Sequence, residues 1–283
     1  MDSAEGLLLV DKPGGITSHD AIDAVRRALG TRKVGHAGTL DPMATGLLLV
    51  GIGRATRLLR FLGDLDKEYD GAGRLGEETD TLDADGTVIR SAAVHVSEAA
   101  LRGAAMAMVG QIEQRPPAFS AVKVGGRRLY ESARRGEPIE ARPRSVRVDV
   151  FDVLRFDGRD FDFRVVCSGG TYVRSLVAEV GSRLGCGAHL IRLRRTAIGP
   201  FRVEAALPPD RPGDLLPVET AVAHLPRVDV GAEEAVAASH GRPLAPAGVS
   251  GPHAVFGPDG SLIGVWRDEG ARARPEVVLA PAG

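Results

Sequence analysis

The chain opens on four consecutive apolar residues, Leu7-Leu8-Leu9-Val10, followed by Asp11-Lys12-Pro13-Gly14-Gly15. A short apolar run stopped by turn-forming residues predicts a buried strand. Thr17 and Asp20 then stand at capping-box spacing, and Ile22, Val25 and Leu29 share one helical face until Gly30 stops the helix. Gly35 to Thr45 follows neither the helical nor the strand period and is expected to be irregular, whereas Leu47 to Ile52 reads as a second buried strand. Asp85-Gly86 suits a tight turn between two short strands. Ser97 can cap a helix running through Leu101, Ala105 and Met108 to Gly110. Val146, Val148 and Val150 alternate with charged residues, as do Phe161, Phe163 and Val165, and predict two half-buried strands. From Thr171 to Leu184, Val173, Leu176, Val177, Val180 and Leu184 form an apolar helical stripe that Gly185 ends.

Two stretches depart from this texture. Pro116 to Pro143 is basic and poorly periodic, which predicts a long loop with at most one helical turn; loops of that length inside compact domains are often functional. Beyond Pro200, prolines at 208, 209, 212, 217 and 226 punctuate the chain, and from about Val228 short strands alternate with Gly/Pro turns. The expected organisation is α+β, with one unit over residues 1–227 and a small, mostly β unit over 228–283.

Composition narrows the class of protein. With 283 residues and 43% hydrophobic content the chain can bury a core. Its two cysteines, Cys167 and Cys186, form neither a CxxC pair nor a disulfide framework, and the seven histidines show no metal-ligand spacing, so no metal is expected. No apolar stretch is long enough to span a bilayer and no basic leader precedes the first apolar run, which predicts a soluble, cytoplasmic protein without membrane contact. The formal net charge of -1 hides segregation: nine Lys/Arg against three Glu from Arg115 to Arg147, five Arg and no acid from Arg183 to Arg202, and nine acids against Lys67 and Arg74 from Asp64 to Asp85. Such a chain can present a basic face to a polyanion while remaining near neutral overall.

Two clusters are candidates for chemistry. In Gly35-His36-Ala37-Gly38-Thr39-Leu40-Asp41-Pro42-Met43-Ala44-Thr45-Gly46, a lone carboxylate precedes a proline that pushes its backbone away from the helical region, and glycines permit close approach of something bulky. A structural turn could have the same makeup. In Cys167-Ser168-Gly169-Gly170-Thr171-Tyr172-Val173-Arg174, a glycine turn leads into a helix whose first turn holds an arginine off the apolar stripe. Off that stripe it can point to a cleft, and a cation there opposes the helix dipole, which disfavours a purely stabilising role; a surface arginine paired with a nearby acid is the other reading. There is no phosphate-binding GxxxxGK[ST] loop, and Asp83-Ala84-Asp85-Gly86 lacks the first and last ligands of a calcium loop.

The ordered set of motifs resembles the TruB family of tRNA pseudouridine synthases. It comprises Gly6 to Pro13 with Thr17-Ser18, the Gly35 to Gly46 loop, Lys67-Glu68-Tyr69, and Gly76 through Asp80-Thr81 to Asp85-Gly86. Gln111-Ile112, Pro116 to Tyr130, Cys167 to Arg174 and His189 to Pro200 complete it. The resemblance implies a central mixed, largely antiparallel sheet with flanking helices and loops, plus a C-terminal PUA-type RNA-binding domain. It implies that Asp41 is the catalytic carboxylate, that Tyr69 packs on the target base, and that Arg174 pairs with Asp41 and keeps it ionised, with Tyr172 nearby. His36 would fill the space left by a flipped base, Lys12 would support the site, and Leu193 would lie near the pocket. Lys123, Arg127 and Arg128 fall in the basic loop, about 116–144, expected to clamp RNA phosphates. One departure from the family pattern, Gly71 and Gly73 after Tyr69, would weaken a strand there.

The implied reaction converts uridine to pseudouridine at position 55 in the T-loop of tRNA. It breaks one glycosidic bond and forms another, with nothing oxidised and no group added, so no cofactor is expected. The expected partner is the tRNA T-arm alone, bound by a monomer without an obligatory protein partner. Two other readings stand beside this one: a guide-RNA-dependent synthase sharing the loop, and an RNA-folding chaperone with a vestigial site.

Overall fold

The computed structural model describes residues 4–279, apart from 121, 136, 138 and 140. Strand β1 (Gly6–Lys12) leads into α1 (Ser18–Leu29), β2 (Val34–Ala37), β3 (Thr45–Ile52) and the short α2 (Leu59–Leu62). Then come β4 (Lys67–Leu75), the pair β5 (Glu77–Thr79) and β6 (Val88–Ser91), α3 (Glu98–Met106) and β7 (Gly110–Gln114). The basic stretch holds β8 (Lys123–Val124), β9 (Arg127–Arg128) and α4 (Leu129–Arg134). After it run β10 (Arg144–Phe156), β11 (Asp160–Cys167), α5 (Val173–Arg183), β12 (Ala188–Ile198) and β13 (Phe201–Arg202). The C-terminal part consists of β14 (Arg227–Asp229), α6 (Ala232–Ser239), β15 (Pro252–Phe256), β16 (Leu262–Glu269) and β17 (Arg272–Val278).

Among the described residues, nine strands form one sheet in the order β1-β3-β12-β4-β11-β10-β7, with β2 also on β3 and β13 also on β12. Every pairing is antiparallel except β3 with β12, where Thr45 and Gly46 face Arg194 and Arg195. Gly46 makes that crossing possible: at φ 103, a Cβ on it would stand 2.2 Å from the Arg195 carbonyl oxygen. This is the mixed, largely antiparallel α+β architecture expected from the sequence, with the small β14-β15-β16-β17 sheet after it.

Local sequence accounts for most boundaries. Thr17 and Asp20 form the reciprocal capping box, and Gly30 ends α1 at φ 63. Ser97 accepts from the Ala100 N–H to start α3. Val173, Leu176, Val177 and Val180 bury the face of α5 against Phe161, Phe163 and Val165 of β11 and against Leu101 and Ala105 of α3.

Four expectations change. Val34–Ala37 is a strand, because β3 offers it a free edge that the local pattern does not announce. The basic stretch is not one open loop: β8 and β9 pair, and a six-residue helix follows. The Asp85-Gly86 turn is a longer connection between β5 and β6, with Leu82 at φ 65. The glycines of β4 do not interrupt it, since β4 pairs continuously with β11. A Cβ on Gly71 would lie 2.4 Å from the Phe163 ring, and one on Gly73 would lie 2.5 Å from the Phe161 ring. The missing side chains are therefore the seats of those two aromatics.

Candidate functional site

A cleft opens where the connection from β2 to β3 meets β4, β12, the β5–β6 connection and the start of α5. The Asp41 loop is held on both sides of the carboxylate. Ser18 of α1 donates to the Leu40 carbonyl at 3.0 Å and accepts from the Leu40 N–H at 2.9 Å. The Pro42 carbonyl accepts from the Gly15 N–H at 2.9 Å and from Lys12 Nζ at 3.3 Å. A backbone pinned at both neighbours leaves Asp41 few ways to point.

Arg174 rises from the first turn of α5 and is 3% exposed. Its Nε lies 3.0 Å from Asp41 Oδ2, an ion pair without hydrogen-bond alignment, while Nη2 donates to Asp41 Oδ1 at 3.3 Å. Nη1 donates to the Thr81 carbonyl at 2.9 Å and to Asp83 Oδ2 at 3.2 Å, and Nη2 also donates to the Phe119 carbonyl at 2.9 Å. The guanidinium thus joins Asp41, the buried Asp83 and the approach to the basic stretch.

The net effect on Asp41 differs from the expected one. Burial raises its pKa above the usual carboxylate value, Arg174 and Lys12 pull it back, and Asp83 and Asp85 push it up. Burial prevails even though the side chain keeps 31% of its accessible surface, because that surface faces the cleft while protein surrounds the rest. Arg174 therefore limits the rise and does not hold Asp41 below the ordinary range.

Tyr69 on β4 and Leu193 on β12 are both buried and line the cleft beside Asp41. His36 on β2 lines it too, with Nδ1 enclosed and unpartnered; burial, then Arg195 and His19, lower its pKa and favour the neutral ring. Tyr172 caps α5 by position, and its ring lies 4.8 Å from the Arg144 guanidinium. Lys12 stands behind the loop, fully buried, with Nζ donating also to the Pro13 and Ile16 carbonyls at 2.9 and 2.8 Å. Burial lowers its pKa to about 8, opposed by Asp41. Of the three expected clamp residues, Arg127 is exposed on β9 outside the cleft lining, and the side chains of Lys123 and Arg128 lie outside the described residues.

Sequence reasoning did not single out Asp83, Lys67 or Arg195. Arg195 is 1% exposed on β12, lines the cleft, and donates to the Leu47 carbonyl at 2.7 Å and the Gly38 carbonyl at 2.9 Å. Its guanidinium lies 6.0 Å from the centre of the Tyr69 ring. Lys67 is buried, donates to the Gly63 and Leu65 carbonyls, and has a pKa lowered by burial to about 8. Asp83 sits inside the rejected calcium-like run, and Arg195 inside a run that reads as basic surface. Among the described residues no group of three or more His, Cys, Asp or Glu is arranged to hold a metal ion. The cleft can present one oriented carboxylate to a planar group lying against an aromatic wall.

Comparison with known proteins places this geometry in context. The profile of the TruB family pseudouridylate synthase N-terminal domain matches residues 26–173. Profiles of the tRNA pseudouridylate synthase B C-terminal domain and of the C-terminal part of tRNA pseudouridine synthase II match 174–208 and 225–280. The chain is 47% identical to tRNA pseudouridine synthase B of Mycobacterium sp. (strain KMS), over 98% of this chain and 97% of that one. It is 46% identical to the protein of that name from Thermobifida fusca (strain YX), over 98% and 99%. The archaeal box H/ACA sRNP Nop10-Cbf5 complex contains a chain similar at TM-score 0.74 and 27% identity, covering 98% of this chain and 86% of that one.

Proposed function

The chain belongs to the TruB family of pseudouridylate synthases, and from that premise we propose that it isomerises the uridine at position 55 in the T-loop of tRNA without a guide RNA. Action on tRNA uridine follows from the family; the position, the guide independence and the residue roles are our reading. The observation that carries it is Asp41, oriented by its pinned loop and by Arg174 in a cleft walled by Tyr69. A carboxylate so placed can attack C1′ or C6, or remove the C2′ proton, and each route requires it ionised.

A uridine folded into a T-loop must leave its stack to reach Asp41, which costs a few kcal/mol. Stacking on Tyr69 would return about 1–3 kcal/mol, and His36, on the cleft lining and with its neutral ring favoured, would occupy the vacated space in the RNA. Tyr172, Leu193 and Lys12 shape and support the pocket. The insert at about 116–144, with Lys123, Arg127 and Arg128, would clamp phosphates, making affinity salt-dependent. Residues 1–227 would then be the catalytic unit and 228–283 a PUA-type RNA-binding unit.

The test is nucleotide-resolution mapping of pseudouridine in an unmodified tRNA transcript incubated with the purified protein alone. Product at position 55 is expected. A requirement for a guide RNA or protein partners would favour the guide-dependent reading instead. Asp41→Asn should abolish product while tRNA binding stays within about tenfold, ~1.4 kcal/mol. Product formation by this variant near the wild-type rate would remove Asp41 from the chemistry.

A further inference from the structure

The basic insert between β7 and β10 is fastened at both ends to the residues that lead into α5. On the entering side, the Tyr172 N–H donates to Gln114 Oε1 at 2.7 Å, and Gln114 Nε2 donates to the Tyr172 carbonyl at 3.0 Å. Five residues on, the Phe119 carbonyl accepts from Arg174 itself at 2.9 Å. On the leaving side, Arg144 donates to the Gly170 carbonyl and lies over the Tyr172 ring.

Gln114 is a buried member of this collar, 5% exposed at the end of β7 and opposite Arg144 in the strand register. Its primary amide presents one donor and one acceptor, and so pairs with a peptide as a neighbouring strand would. Tyr172 needs such a partner. It stands at the N-cap of α5 with no side-chain cap hydrogen bond, two residues before Arg174. Within the helix its carbonyl accepts from the Leu176 N–H at 3.2 Å, while its own N–H finds its partner in Gln114.

We propose that Gln114 is a positioning residue for the isomerisation: its reciprocal amide contact with Tyr172 sets the start of α5 and thereby aims Arg174 at Asp41. The inference rests on the roles given above to Asp41 and Arg174. It also makes the insert mechanically continuous with the catalytic pair, since Gln114 and Phe119 belong to the segment by which the chain enters the insert.

The test compares Gln114→Ala and Gln114→Glu with wild type and with Asp41→Asn. Single-turnover rates at saturating tRNA transcript are followed across pH, with circular dichroism melts as the control for folding. Gln114→Glu keeps the acceptor for the Tyr172 N–H and nearly the same shape, but sets a carboxylate oxygen against the Tyr172 carbonyl. Both variants should lose about tenfold or more in rate, with KM within about threefold of wild type. In both, the acid limb of the profile should move to higher pH. Asp41 faces Arg174, Lys12, Asp83 and Asp85, and a displaced Arg174 no longer offsets the burial that raises its pKa. Wild-type rates in Gln114→Ala or Gln114→Glu would overturn the proposal. So would a rate loss with the limb unmoved, which would make Gln114 a support of the fold alone. Activity in Asp41→Asn would instead overturn the assignment of the site, so the two failures are distinguishable.

Discussion

At the scale of single residues, the site sets charge against burial. Asp41 has a pKa above its ordinary 3.8, with burial the largest cause. The folded state therefore holds the Asp41 proton more tightly than the unfolded chain does. The stability this contributes is present below the unfolded pKa and is lost as pH rises through the raised folded value. Ionising Asp41 is thus costlier in the fold than in the unfolded chain, an effect opposed by its pairing with Arg174, and Asp41→Asn should remove activity. In the wild type, the single-turnover rate should fall on acidification at a pH above the usual carboxylate range. Arg174→Ala leaves Asp41 and Asp83 in one region without their shared cation, and breaking a buried pair costs about 3–5 kcal/mol. Arg174→Lys should rescue poorly, because a single ammonium cannot span Asp41, Asp83 and the Thr81 and Phe119 carbonyls. Equal rates in all three forms would exclude Arg174. Asp41, Tyr69, His36, Leu193 and Arg174, which the sequence motifs single out, do come together at one cleft. Asp83 and Arg195 were not legible in the sequence, since their meaning comes from distant partners: Arg174 for one, the Leu47 and Gly38 carbonyls for the other.

At the scale of elements, the sequence was read well where one periodicity governs a segment, as in α1, α3, α5, β10 and β11. It misled where the tertiary partner supplies the reason. β12 pairs with β3, β4 and β13 but was not foreseen, because Arg195 occupies an inward position between Leu193 and Ala197 and disguises the alternation. The glycines of β4 argued against a strand, yet they are where β11 delivers Phe161 and Phe163. A Cβ at Gly73 would also meet Val177 of α5 at 2.9 Å, so helix and strand close together on the space it leaves. Gly73→Ala should therefore cost about 1–3 kcal/mol by overpacking. Phe161→Leu, which withdraws the ring, should recover part of that loss in the double variant. Denaturant unfolding of the four proteins gives the coupling, and simple additivity would mean that the glycine does not seat the ring.

At the scale of the whole molecule, the acidic stretch of the sequence is partly neutralised in the fold. Asp66, Asp70, Glu77 and Glu78 of the acidic stretch pair with Arg147, Arg164, Arg159 and Arg90. The C-terminal sheet is likewise no loose appendage. Ala254, Phe256, Val265, Val277 and Leu279 share one apolar cluster with Leu47, Leu49, Leu58, Phe61 and Leu62, and Arg60 pairs with Glu276 across the same boundary. Removing residues from 228 onward would strip cover from several side chains, each stabilised by about 1.5–3 kcal/mol through full burial. A chain cut there should lose solubility or cooperative unfolding, so truncation is a poor test of RNA binding. Charge reversal is a better one. Arg242 and Arg272 are exposed on this unit, and converting both to Glu leaves the shared cluster intact. If the unit holds RNA away from Asp41, the double variant should raise KM and lower the salt slope of tRNA binding by about one to two. Its single-turnover rate at saturating tRNA should be unchanged, because binding lost equally from ground and transition states spares kcat. Wild-type KM and salt slope in a normally folded double variant would take RNA contact away from these two arginines, and Phe61→Ala, expected to cost about 3–5 kcal/mol, would still report how firmly the shared apolar cluster is packed.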